Sequence, residues 1–253
     1  MRIVVKIGSN VLTRADGTMD VTRMSALVDQ VAALRREGHQ IIIVSSGAVA
    51  SGKSIIPCEH PLDKAEQRQL FSAVGQVLLM SHYSTFFRDY GINVGQVLTV
   101  KENFSTPYER ENVSHCMEAM LENGVLPIVN ENDTVCLTEL MFTDNDELSG
   151  LVAQLMQADK LIILSNIDGL YDGDPSMVGT KLIPRVRVGE DLSSYISVTK
   201  SSAGRGGMQS KCHTALEIAA CGIDVLIANG KRENILIDLF CPDTDVPHTE
   251  FTR

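Results

Sequence analysis

The sequence predicts an α/β protein, a three-layer αβα sandwich with a central, mainly parallel sheet. Short hydrophobic runs alternate along the chain with longer stretches of helical periodicity. The runs are almost continuous in Val, Ile and Leu, as strands covered on both faces are. Aromatic residues make up only 5% of the 253, with no Trp, against 44% hydrophobic residues, so the core is aliphatic.

The first strand is RIVVKI at 2–7, stopped by Gly8, Ser9 and Asn10. Apolar residues at helical spacing fill 24–34, and Gly38 closes that helix as a left-handed cap. QIIIV at 40–44 is the second strand and ends in Ser45, Ser46 and Gly47. A long helical region covers 63–89, with Leu70, Val74, Val77, Leu78 and Phe86 expected on its apolar face. A strand at 92–98 and a helix from about 107 to 122 follow; then Gly124 introduces a strand at 125–129. Residues 145–157 read as helix and 160–164 as a strand ending in Ser165 and Asn166. Tyr171, Gly173, Pro175, Gly179 and Pro184 mark 170–184 as loop. A glycine-rich turn at 204–207 opens a helix to about Cys221, a strand covers 223–228, and a helix lies near 233–240. The last ten residues are expected to fray. No repeat, low-complexity tract or linker interrupts the pattern, so one domain over 1–253 is expected.

The net charge of −10 argues against bulk affinity for nucleic acid or anionic membranes. No apolar run approaches the ~20 residues that span a bilayer, and Met1-Arg2 leads directly into a strand rather than a secretory signal. Cys58, Cys116, Cys136, Cys212, Cys221 and Cys241 form no CxxC pair, and the histidines show no HExxH spacing. Structural zinc is therefore not expected, and free thiols in a cytoplasmic protein are.

The chemistry concentrates at 129–146, VNENDTVCLTELMFTDND. A hydrophobic strand stops in Asn130, Glu131, Asn132 and Asp133, and a second polar knot, Thr143-Asp144-Asn145-Asp146, opens a helix. Each of these groups wants water, a partner or a ligand, and ligands of open α/β sheets bind at the carboxyl ends of strands. The segment either holds a small zwitterionic substrate or is a solvated turn. Asp144 is either the N-cap of the helix or a carboxylate that holds lysines or magnesium. Lys6, in a buried strand, needs a counter-charge, from a phosphate or from an internal carboxylate. Gly204-Arg205-Gly206-Gly207-Met208, with Lys211 one turn on, is either a phosphate nest or a plain loop before a helix.

Residues 47–54, GAVASGKS, satisfy the phosphate-loop pattern GxxxxGK[ST]. Pro57 follows at once, so the helix that would hold phosphates has almost no length. The match reads as accidental, and Lys53 as a surface residue. Together, two lysines, a glycine nest, amides and carboxylates at strand ends suit phosphoryl transfer by positioning and charge neutralisation. No Ser-His-Asp or Cys-His motif stands out, and an acceptor that is itself a carboxylate needs no general base.

KIGSNVLT (6–13), VSSGAVASG (44–52), VNENDT (129–134), FTDNDELSG (142–150), LSNIDGLYDGDP (164–175) and GRGGMQSK (204–211) resemble, in order, the motifs of the amino acid kinase family. Within it the chain is most similar to members that phosphorylate the side-chain carboxylate of L-glutamate with ATP and Mg2+, the first step of proline synthesis. The resemblance implies that Lys6 binds nucleotide phosphate and that Ser46, Asp133 and Asn145 bind glutamate. It puts Ser165 and Asn166 at the nucleotide, and Arg205, Gly206, Gly207, Met208, Gln209, Ser210 and Lys211 around the phosphates, with Lys211 stabilising the transferring group. It has Asp144 orient the two lysines and sets Asp146 near the glutamate loop or magnesium. It further implies a cytoplasmic homo-oligomer, dimer or tetramer, and proline as a feedback inhibitor. Asn166 stands where Asp is expected in TDxxGLY, and Arg205 departs from GTGGM; both bear on nucleotide contacts. At 253 residues, the C-terminal RNA-binding-like PUA domain of many relatives is not expected. The alternatives are acetylglutamate, aspartate, carbamate or uridylate kinases of the same fold, a phosphate-loop hydrolase using 47–54, and a non-catalytic amino-acid sensor.

Overall fold

A computed structural model describes residues 1–57, 60–135, 142, 144–192, 195 and 207–253. Among them run β1 (Arg2–Ile7), α1 (Ser9–Leu12), α2 (Val21–Arg36), β2 (Gln40–Ser45), α3 (Ala48–Lys53), α4 (Lys64–Arg88), β3 (Val94–Thr99), a 3-10 turn at Lys101–Phe104, α5 (Pro107–Glu122), β4 (Leu126–Glu131), α6 (Asn145–Leu155), β5 (Lys160–Ser165), β6 (Arg185–Arg187), α7 (Met208–Ala220), β7 (Asp224–Asn229), α8 (Ile235–Asp238) and β8 (His248–Thr252). The strands form one sheet in the order β3-β4-β2-β1-β5-β7-β8-β6. Every pairing is parallel except β7 with β8.

Strand side chains alternate between two covered faces. Ile3, Val5, Ile7, Ile41 and Ile43 join α2 and α4 in one core; Val4, Ile42 and Val44 join α5, α6 and α7 in the other. The helix after β1 therefore packs on one face of the sheet and α7, after β5, on the other. That reversal makes the carboxyl ends of β1 and β5 the topological switch point, where such sheets bind ligands. Lys6 has the parity of Val4, which turns its side chain toward α6 and α7.

Two expectations are corrected. The last ten residues do not fray: β8 lies antiparallel to β7, carries β6 on its outer edge, and buries Phe251 completely. β6 itself, a strand of three residues, is too short to show periodicity. The buried face of α4 was also misjudged. It is Phe71, Ser72, Gly75, Gln76, Leu79, Tyr83 and Phe87, while Val77 is 72% exposed and Leu70 lies outward too.

The small residues on α4 have a steric cause. α3 crosses it at backbone contact: a Cβ on Gly75 would sit 1.7 Å from the carbonyl oxygen of Ala48, and one on Gly52 1.9 Å from that of Phe71. Gly52, the second glycine of GAVASGKS, thus serves a helix crossing. Gly75→Ala should lower stability by about 1–3 kcal/mol, because backbone cannot yield as a side-chain tip does. A lower urea midpoint at unchanged m-value is the expected result.

Candidate active site

The strand ends surround a cavity of about 680 Å³, lined from β1, α1, the turn after β2, α3, α4, β4, β5 and the start of α6, with Lys211 from α7. At its base is an ion triad. Lys6 Nζ lies 2.6 Å from Asp146 Oδ1, and Lys211 Nζ donates to Asp146 Oδ2 at 2.9 Å. Lys6 is 5% exposed, Asp146 1% and Lys211 9%. Burial alone would raise the carboxyl's pKa; the two ammonium charges outweigh it and hold Asp146 below the usual carboxylate range. Gly8 makes room beside this group, since a Cβ there would approach Lys6 Nζ to 3.2 Å and the Leu164 carbonyl oxygen to 3.1 Å.

The role of holding both lysines, expected for Asp144, belongs to Asp146. Asp144 caps α6, accepting from the amides of Asp146 (2.9 Å) and Glu147 (3.0 Å) through Oδ1 and from Ser210 Oγ (2.5 Å) through Oδ2. It joins the start of α6 to the start of α7 instead of touching a lysine ammonium. Two positions on, at the second residue of the helix, Asp146 points across to β1 and α7. Magnesium in kinase sites is usually held by one or two carboxylates together with phosphates and water. Both oxygens of Asp144 and of Asp146 already have partners. In this structure these oxygens bind amides, a hydroxyl and two ammonium groups, so Asp144 and Asp146 tie α6 to β1 and α7.

On the other side lies the segment 130–133. β4 runs on through Asn130 and Glu131, so these two sit in a buried strand, 3% and 5% exposed, while Asp133 lies in the turn that follows and is also buried, at 9%. Asn145 Nδ2 donates to Ser46 Oγ (2.9 Å) and Asn130 Oδ1 (3.0 Å), and Asn130 Nδ2 donates to Gln76 Oε1 (3.0 Å). Ser46, Asp133 and Asn145, grouped in the sequence reading, line one cavity with Asn130.

Arg68 on α4 was missed. Its Nη2 donates to Glu131 Oε2 at 2.7 Å and also to Asp133 Oδ1. Burial and the neighbouring Asp133 charge push Glu131 up to about 7, against the pull of Arg68. Burial likewise raises Asp133. An arginine in a long polar helix start carries no local signal of this. The signal was at the other end, in two carboxylates on a strand end that need a cation.

Ser165 and the exposed Asn166 close the cavity at β5, and Gly207 caps α7, whose first turn holds Met208, Gln209 and Ser210. Arg205 and Gly206 lie outside the described residues. Lys53 is exposed at the cavity mouth on a helix of only six residues.

Asp146→Asn should cost about 3–5 kcal/mol at pH 7, because it leaves two buried cations facing each other. The folded-state pKa of Asp146 lies below its unfolded value, so its stabilisation is present above about pH 4 and lost as the pH falls further. Urea midpoints of the two proteins should therefore converge on acidification.

Residues 1–229 match the sequence model described as the amino acid kinase family. The chain is 60% identical over 250 residues to the glutamate 5-kinase of Bacteroides thetaiotaomicron, covering 99% of this chain and 69% of that one. It is 44% identical over 236 residues to the glutamate 5-kinase of Chlorobaculum tepidum, covering 93% and 65%. The chain thus spans about two thirds of the length of these curated relatives. Among solved structures, UMP kinase from Ureaplasma parvum and carbamate kinase from Giardia lamblia bound to AMP-PNP each superpose with a TM-score of 0.68 at 15% identity, covering 100% of this chain and 98% of theirs. At that identity the likeness is one of fold. With the family model matched over residues 1–229 and a relative 60% identical over nearly the whole chain, the chain belongs to the amino acid kinase family.

Proposed function

We propose that the chain transfers the γ-phosphoryl group of ATP to the side-chain carboxylate of L-glutamate, giving L-glutamyl 5-phosphate and ADP. The observation that carries this reading is the Lys6–Asp146–Lys211 triad beside the acidic pocket of Glu131 and Asp133. A carboxylate oxygen of the acceptor attacks the γ-phosphorus, the new O–P bond forms, and the bond to the ADP oxygen breaks. Acceptor and donor are both anionic, so the barrier is largely their repulsion. Lys6 and Lys211, fixed before either arrives, neutralise it. The acceptor carboxylate is ionised at neutral pH, so no proton has to be removed. Asp133 meets the acceptor's ammonium group, and Ser46 and Asn145 orient the rest. Ser165, Asn166 and the first turn of α7 receive the nucleotide. The names of the 60% and 44% identical relatives favour glutamate over the other acceptors of the fold. In this reading the enzyme starts proline synthesis in the cytoplasm and works as a homo-oligomer.

The deciding assay is ATP-dependent trapping of the product by hydroxylamine as the hydroxamate, run with glutamate, acetylglutamate, aspartate and carbamate. Glutamate alone should give strong turnover; a preference for another acceptor would replace the proposal. Lys211→Ala should lose roughly 100- to 1,000-fold in kcat with its circular dichroism spectrum unchanged. Asp133→Ala should raise the glutamate KM by about 30-fold or more and leave the ATP KM near that of the parent.

A further inference from the structure

Arg68 has no part in the reaction as described, yet it reaches from α4 into the acceptor side of the cavity. Its guanidinium serves two buried carboxylates that lie two residues apart. The side chain is 22% exposed, and next to it Gln69 Nε2 donates to the Thr134 carbonyl oxygen at 3.0 Å. α4 is thus tied to the 131–134 segment twice, once by an amide and once by a charge. The charge link differs in kind from the amide one, because it also acts on the protonation of the two carboxylates.

We propose that Arg68 is a positioning residue of the acceptor pocket, whose shared guanidinium keeps Asp133 charged and in place to receive the acceptor's ammonium group. The proposal deepens the reading given under Proposed function and rests on it for the identity of the acceptor. Two buried carboxylates at this separation share a proton unless a cation is present. The charges seen to act on the pair are Arg68 from α4 and each carboxylate on the other. The amide of Phe142 donates to Glu131 Oε1 at 3.0 Å from the far side. With Arg68 in place, Glu131 already titrates near neutrality. Without it, the pair takes up a proton at higher pH, and the pocket loses charge where the ammonium group binds.

The test is the pH profile of the glutamate KM in Arg68→Gln and Arg68→Lys. Arg68→Gln should raise that KM roughly 10-fold at pH 7, the equivalent of one pKa unit. The excess should shrink as the pH rises to 9, while kcat and the ATP KM stay within about 3-fold. Arg68→Lys should restore most of the affinity. A KM excess that is constant with pH, or equal losses in kcat and ATP KM, would overturn the proposal. If Arg68→Gln does not fold, Glu131→Gln tests the same point from the other side. It should flatten the inflection near pH 7 in the parent's KM profile, and an unchanged inflection would count against the proposal. Thermal midpoints add an arm independent of turnover. A carboxyl with a raised folded-state pKa loses stability as pH rises from about 4 through the folded value. Relative to Glu131→Gln, the parent should lose stability up to about pH 7, and Arg68→Gln over a range extending higher. Parallel curves would refute the role of Arg68 even if no acceptor were turned over; absent glutamate turnover in the parent would refute the proposed reaction alone.

Discussion

Two ammonium groups share one buried carboxylate at the floor of the cavity, and the rest of the site is arranged around that fact. Lys6 comes from the central strand, Asp146 from the first turn of α6 and Lys211 from the first turn of α7. No two of these elements are adjacent in the chain, so the ion triad forms only when the sheet and its α6–α7 face are assembled. The lysines cannot relax apart, because Asp146 is nearly inaccessible and both its oxygens are engaged. Two cations thus stay close together in a dry place, where a bridging anion gains most from them.

The cavity has two acid clusters of opposite logic. At the floor, cations outnumber the carboxylate and its pKa falls; at the end of β4, Glu131 and Asp133 outnumber the one described cation beside them and their pKa values rise. Environment alone separates chemically similar side chains, as it does where one site divides acid and base tasks. Here the division is between a floor that favours anionic oxygens and a wall that favours an ammonium group. A zwitterionic acid with a second carboxylate has both kinds of charge to offer. In the proposed reaction, electrostatics would orient such an acceptor toward the donor before any close contact forms.

The fold was readable because its evidence is local: aliphatic runs separated by helical stretches dictate a parallel, doubly covered sheet. What escaped the reading is non-local. α4 has apolar residues on two sides, and only the crossing by α3 decides that the side with Gly75 and Ser72 is buried. β8 has no special pattern and exists because β7 offers it an edge. In the site, spacing brought Asp144 and Asp146 to attention but does not say which one caps and which one turns inward; that follows from where the helix starts. Lys6, Ser46 and Asp133 were legible as polar residues in or after hydrophobic runs, Asn145 at the start of a helix and Lys211 one turn past a glycine-rich turn; their roles followed only from the family resemblance. Arg68 was not, since an arginine on a long helix ordinarily faces solvent.

Asn145, Ser46, Asn130 and Gln76 tie α6, β2, β4 and α4 together through amide and hydroxyl groups. None of these groups ionises across the biological pH range. The protein therefore separates its geometry from its charge. The lattice that sets distances between the two clusters is indifferent to protons, while carboxylates a few residues away respond to them. A change of pH can alter how strongly the pocket attracts an acceptor without altering where the acceptor would lie.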